Sequence, residues 1–489
     1  MSLNLKFILI KAQLICIFIY LCFLSIRIHS GAFDDDQTAF RILVAVVFSY
    51  ILNLIQQKIT FRGLKYFSFS FLFPLAFFIV YFQIAALHLF GFSVLSRFEW
   101  FIWAGSNNIS KTISVAALGI VGYFIGIAWR PSKILPKRYE LEHPKSLLQI
   151  ITYLSYFFYI LFLLNAGSYI FGAYIADGTF LASYSAKLFN ICLFSGLSIN
   201  IYQILNSNKR YKSILSYLNA FYSPLLALAF FNIFMSIFVG DRGPIISYLI
   251  IIFSAYFLKS YQLGFVKLAL ILVISSAFLT ILGEARTRVI GESFVERFVS
   301  ATETEGPEYF DEGVPGGGLV ELALSVRTLA VSVESVPKEF DYHYGGFQLQ
   351  QIAAVVPGAQ GLVNRVVYGG DPKYDGSANF ITYLIHRRPV DYGDGSSIMA
   401  DLYLDFGLAG AIILMFVFGR FISRIEIDIH RGNIRFGFRF IIFMTFLSNA
   451  IYLSRSTIML EFSGIVFCYL LIKTVMSILS KSKKKYSLN

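Results

Sequence analysis

The run GFVKLALILVISSAFLTILG at 264–283 carries a single charge in twenty residues, and EARTRVIGES follows it at once, at 284–293. A helix of about 20 apolar residues crosses a bilayer core of about 30 Å. The first run therefore reads as a membrane span and the second as its exit into water. Working outward, the same length fits twelve apolar stretches: 7–26, 39–56, 67–93, 112–129, 148–172, 186–205, 215–239, 243–258, 264–283, 401–423, 436–454 and 457–479. With 57% hydrophobic and only 14% charged residues, against roughly 25% charged in soluble domains, the fold class is an all-α polytopic membrane protein. The 52 Phe and 30 Tyr suit lipid-facing and interfacial positions. The first run contains Lys11 and Gln13 and no small-residue cleavage pattern, so it is expected to be the first span and not a removable leader.

A net charge of +12 would point to nucleic acid in a soluble chain, but here the positions of the cations matter more. They concentrate in alternate loops, including Lys58 and Lys65, Lys209, Arg210 and Lys212, Arg424 and Arg431, and the tail Lys481, Lys483, Lys484 and Lys485. Positive loops are retained in the cytoplasm, which places both termini inside and the longest polar interruption, residues 284–400, outside. The expected organisation is 1–283 (nine spans), 284–400 (a large outer loop) and 401–489 (three spans and a basic tail). The loop holds 16 acidic and 9 basic residues, the reverse of the cytoplasmic loops. Apolar residues at helical spacing predict helices over 318–336, 347–356 and 376–385, so the loop reads as a folded helical cap.

All four cysteines, Cys16, Cys22, Cys192 and Cys468, fall inside apolar spans, with no CxxC pair, so neither a disulfide frame nor a thiolate metal site is expected. P-loop, Rossmann, HExxH and nucleophile-elbow motifs are absent from the sequence, which disfavours ATP-driven transport, hydride transfer, zinc proteolysis and serine hydrolysis. No cofactor is expected. Nucleotide-activated donors are unavailable on the outer face, so a transfer reaction there must draw on a donor already activated on a lipid.

The candidate chemistry lies in and beside the loop. Arg242, in VGDRGP between two spans, is either paired with Asp241 or an anion site at a cavity mouth. Arg286 and Arg288 follow the ninth span and can both reach one anion at the membrane surface; their alternative is interfacial snorkelling. The guanidinium fork matches phosphate oxygens bidentately, so Arg242, Arg286 and Arg288 are assigned to pyrophosphate. Arg327, Arg365, Arg387 and Arg388 are assigned to pyrophosphate or glycan, with Tyr344 and Tyr392, among several loop tyrosines, as stacking platforms for sugar rings. Proton acceptors are sought among His343, His386, Asp391, Asp394, Asp401 and Glu321, with Asp401, Asp394 and His386 preferred. Asp34, Asp35 and Asp36 form a rival acidic group, although carboxylates also commonly precede a helix start. Because Arg242 precedes the loop and Asp401 follows it, the expected site lies where the loop meets the ends of the spans.

These features resemble the bacterial O-antigen polymerase family, the Wzy-type oligosaccharide repeat-unit polymerases. The resemblance rests on the many spans, the turn Gly240, Asp241, Arg242, Gly243, the large loop towards the C-terminal third, and the closing pattern GDGSSIMADLYLDFGLAG, in which Gly395, Ser396, Asp401, Tyr403, Gly407 and Gly410 match. It implies a GT-C-like glycosyltransferase of the Gram-negative inner membrane, acting on the periplasmic face. The growing glycan would pass from undecaprenyl pyrophosphate to the end sugar of an undecaprenyl-pyrophosphate-linked repeat unit. No metal is required on this account, and a chain-length regulator and a flippase are the implied protein partners. An O-antigen ligase or another polyprenyl-dependent transferase is the alternative enzyme, and a lipid-linked oligosaccharide flippase the non-enzymatic one.

Overall fold

The structure is a computed structural model, and it describes all residues except 1–2, 30–35, 62, 93, 106–107, 130–143, 168, 170–171, 173–178, 287–293, 304–319, 321, 391, 432–435, 460 and 487–489. Asp34, Asp35, Arg288, Glu321 and Asp391 lie outside the described residues, as does the first part of the helix expected over 318–336. The described residues are helical, without a strand. Among the described residues ten helices are long and apolar enough to cross a membrane, and two shorter apolar ones, Ser223–Val239 and Phe438–Ser448, fall where the seventh and eleventh spans are expected. Each of the twelve apolar stretches thus forms a helix.

The chain divides into two compact units. The first comprises Met1–Ile134, Pro307–Ile427 and Ala450–Ser463. It contains α1 (Leu3–His29), α2 (Asp36–Phe61), α3 (Phe69–Leu89), α4 (Ser96–Trp103) and α5 (Ile109–Ala128), and then the helices of the polar segment. The second comprises Leu135–Gly306, Asp428–Asn449 and Gly464–Asn489, with α6 (Pro144–Asn165), α7 (Phe180–Asn206), α8 (Ile214–Leu218), α9 (Ser223–Val239), α10 (Arg242–Ala255), α11 (Phe265–Arg286) and α12 (Phe294–Glu303). Polar contacts tie the second unit internally. The Tyr248 hydroxyl donates to Asn190 Oδ1 at 2.8 Å, Ser247 to Asn449 Oδ1 at 3.0 Å, and Arg297 to the Gly172 carbonyl at 3.1 Å.

The polar segment folds into α13 (Val326–Ser335), α14 (Gly346–Ala353), α15 (Ala359–Tyr368) and α16 (Ser377–His386), and leads into α17 (Ile398–His430). Two further helices, α18 (Phe438–Ser448) and α19 (Phe462–Tyr486), follow. Sequence spacing anticipates α13, α14 and α16. It misses α15, whose apolar residues are fenced by Gly358 and Gly369, both at positive φ. A turn at Leu324 and Ser325 precedes α13, so the helix expected over 318–336 is not continuous.

In the first unit α5 is the buried axis, with 89% of its apolar window inside the protein. Its glycines let α17 approach backbone to backbone: a Cβ on Gly122 would lie 3.2 Å from the Ile412 carbonyl oxygen, and Gly126 and Gly419 are closer still to the facing backbone. Small residues at such spacing allow the close van der Waals packing that holds helices together in lipid. The start of α17 is pinned by Tyr81 of α3, whose hydroxyl accepts the Met399 N–H at 3.0 Å and donates to the Ser454 carbonyl at 3.1 Å.

α17 is not one continuous helix. Gly407 has φ 65° and ψ −172°, a conformation essentially reserved for glycine. A side chain there would also meet the Tyr342 ring at 3.1 Å. The break frees the Leu404 carbonyl, which instead accepts the His343 N–H at 2.9 Å. Gly407→Ala is expected to destabilise the purified protein by about 1–3 kcal/mol through backbone strain, read as a lowered thermal midpoint in detergent. An unchanged midpoint would show that the break is not required.

Candidate functional site

Two polar clusters sit beside the start of α17, both in the first unit. In the first, Asp394 is nearly enclosed, with 5% of its side chain exposed, and it joins two of the other residues singled out from sequence. Arg327 of α13 forms an ion pair with Asp394 Oδ1, and His386 Nε2, at the end of α16, lies 2.7 Å from Asp394 Oδ2. The Asp394 backbone N–H donates to Thr382 Oγ1 at 2.9 Å, which fixes the loop bearing it. The Arg327 guanidinium carbon stands 4.3 Å from the Phe101 ring centroid, a cation–π contact. Tyr392 meets the His386 ring edge-on at 5.3 Å.

A carboxylate can only accept, so the 2.7 Å contact assigns the proton on His386 to Nε2. Nδ1 is then an acceptor, and it has no hydrogen-bond partner among the described residues. This places a carboxylate behind the imidazole, holding its tautomer and supporting an imidazolium, with an arginine beside the same carboxylate. Such an arrangement prepares a ring nitrogen to take a proton.

The second cluster holds α14 to α17. Asp401 and Asp405 lie one helical turn apart and are both fully buried. Asp405 accepts the N–H groups of Phe347 and Gln348 at 3.2 and 2.9 Å, serving the exposed donors at the N-terminus of α14. Asp401 accepts from the side-chain amides of Gln348 and Gln351, and Gln351 in turn accepts from Thr457. Both carboxyl oxygens of Asp401 are therefore engaged within the protein. Asp405, Gln348 and Tyr81 escaped the sequence reading. The Asp401–Asp405 spacing of four inside an apolar run was the available signal, since two carboxylates on one face of a span require a shared partner.

The remaining candidates separate. Arg387, at φ 54°, pairs with Glu339 at 2.6 and 3.1 Å, and so does not stand as an open anion site. Arg388 and Arg365 are exposed, as is Tyr344. Arg242 opens α10, capped by Asp241, which accepts the Gly243 N–H at 3.2 Å; Arg286 ends α11; both belong to the second unit. Asp36 of the acidic triplet lies 3.3 Å from His88. Among the described residues no three His, Cys, Asp or Glu side chains gather into a metal-binding group.

His343 is packed among aromatic rings, 4.3 Å from Phe347 and 4.7 Å from Phe380 between ring centroids. Its Nε2 is buried without a hydrogen bond. Burial pushes its pKa down to about 4 from 6.5. The unfolded chain therefore binds the extra proton between those values, and stability falls as pH drops from about 6.5 towards 4. His343→Phe should flatten this part of the stability profile, read as thermal midpoint against pH in detergent; an unaltered slope would remove His343 as its source.

The fold and these clusters define an all-helical polytopic membrane protein. The model of the O-antigen polysaccharide polymerase Wzy family matches residues 13–483. The chain belongs to that family, whose members are glycosyltransferase-type enzymes that polymerise O-antigen repeat units. No curated protein and no solved structure matches the chain.

Proposed function

We propose that the chain elongates O-antigen by moving the growing glycan from undecaprenyl pyrophosphate to the terminal sugar of a carrier-linked repeat unit, at the periplasmic face of the Gram-negative inner membrane. The observation that carries the reading is the Arg327–Asp394–His386 cluster. In the proposed step the acceptor hydroxyl oxygen bonds to the anomeric carbon of the donor, and the bond from that carbon to the pyrophosphate oxygen breaks. The hydroxyl proton goes to His386 Nδ1, and undecaprenyl pyrophosphate leaves with the bonding pair. Asp394 orients the ring and steadies the imidazolium.

Departure of pyrophosphate leaves negative charge that preorganised cations stabilise strongly in a water-poor site. Arg327, and with it Arg242, Arg286 and Arg288, is assigned to that charge; Arg365 and Arg388 with Tyr344 and Tyr392 are assigned to the glycan. Asp401 keeps a supporting role in this scheme, because its oxygens hold α14. A GT-C-type membrane transferase with a folded periplasmic segment, working alongside a flippase and a chain-length regulator, is the architecture and setting this scheme implies.

His386→Ala should lower polymerisation by at least about 10²-fold, the usual contribution of a general base, with Asp394→Asn and Arg327→Ala also strongly impaired. The measurement is lipopolysaccharide chain length in a deletion strain carrying each variant, at matched amounts of folded protein. A normal ladder from His386→Ala would sink the base assignment, and normal ladders from both Arg242→Ala and Arg288→Ala would sink the pyrophosphate assignment. The deletion itself distinguishes the activities. Single repeat units on lipid A mean polymerase, retained polymer with nothing attached means ligase, and inward-facing lipid-linked units mean flippase.

A further inference from the structure

Apart from Phe347, which is buried, α14 and α15 turn amides inward and large apolar side chains outward. On α14, the sequence GFQLQQIA turns its glutamines inward: Gln348 and Gln350 are buried, Gln348 and Gln351 donate to Asp401, and Gln350 donates to the Tyr374 carbonyl. Leu349 and Ile352 face outward at 48% and 40% exposure. On α15 the buried residue is Asn364, whose amide donates to the Asp371 carbonyl, while Leu362 and Val366 stand 62% and 77% exposed. Val356, in the turn between the helices, is 60% exposed. A helix on a water-facing surface turns its apolar stripe inward. This pair does the opposite, which is the pattern expected where the surrounding medium is itself apolar.

The depth of the pair along α17 identifies that medium. The N-terminus of α14 is fastened at Leu404 and Asp405, and a Cβ on Gly345 would lie 3.1 Å from the exposed Phe406 ring. Between Asp405 and Arg420, α17 carries no charge over residues 406–419. At 1.5 Å per residue that stretch covers only about 21 Å, short of the roughly 30 Å hydrocarbon core. A core centred on this stretch reaches the level where α14 is attached. α17 itself exposes Phe406, Ile413 and Val417 along the same stretch.

We propose that α14 and α15 form an in-plane hairpin seated in the lipid of one leaflet, with Leu349, Ile352, Val356, Leu362 and Val366 in the boundary between headgroups and acyl chains. The inference requires only the membrane fold and is independent of the polymerase chemistry. To test it, Leu362→Cys and Val366→Cys carry an NBD fluorophore in nanodiscs of phosphatidylethanolamine and phosphatidylglycerol, with the labelled parent protein subtracting any signal from the native cysteines. Asn379→Cys on α16, an exposed polar position, serves as the comparator. Blue-shifted emission at 362 and 366, quenching by lipids spin-labelled near the headgroup, and several-fold weaker quenching by aqueous iodide than at 379 are expected. Iodide quenching equal to that at 379, without lipid quenching, overturns the proposal. Blue-shifted emission without lipid quenching, together with disulfide cross-linking of Val366→Cys between two chains, also overturns it, because a second copy would then cover the face.

Discussion

Carboxylates inside a membrane helix must find donors, and α17 finds them at the ends of other helices. A bare carboxylate moved out of water costs many kcal/mol unless it is paired or hydrogen-bonded. A helix N-terminus has the complementary need, with unpaired N–H groups and about half a positive charge from aligned peptide dipoles. Asp405 meets α14 in this way. Near the other end of α17, Glu426 accepts the Ser70 hydroxyl at the start of α3. The Ser70 carbonyl then gathers Asn53 and Gln57 of α2 at 3.3 and 2.7 Å. One helix thus fastens a membrane partner at one end and the folded polar segment at the other.

This arrangement explains the pattern that closes the polar segment. Asp401 and Asp405 serve the glutamines and the N-terminus of α14, Tyr403 donates to the Val336 carbonyl at 3.1 Å, and Gly407 breaks the helix so that the Leu404 carbonyl can accept His343. Gly410 leaves room for the Phe406 side chain. The residues in the motif are therefore largely structural, and the proposed chemistry falls to neighbours that the motif positions. Ser397, for instance, accepts from Thr328 at 2.7 Å, next to Arg327 on α13.

The apolar spans were legible because lipid imposes length and composition on every crossing helix, and those properties are local. Within the polar segment the helices expected over 347–356 and 376–385 were legible from local apolar spacing, and the first of them ends sooner, at Ala353. The site was legible only in part. Arg327, His386 and Asp394 stand out singly by residue type, but the 67 residues separating Arg327 from Asp394 leave their meeting to the fold. Arg387 looked equally open until the fold brought Glu339 to it from 48 residues away. Asp405 escaped because the pairing with Asp401 signals a buried partner but gives no sign of which helix end it is. α15 escaped because its short apolar run is fenced by Gly358 and Gly369.

The cap on α14 also imposes an order on assembly. The donors of Phe347 and Gln348 emerge 57 to 58 residues before the carboxylate that satisfies them. That carboxylate sits in the very span that follows the segment across the membrane. Until α17 is in the bilayer, α14 has neither its cap nor the glutamine partner Asp401. The polar segment therefore cannot close its fold until the next span is in place, and that span supplies the last pieces of its core.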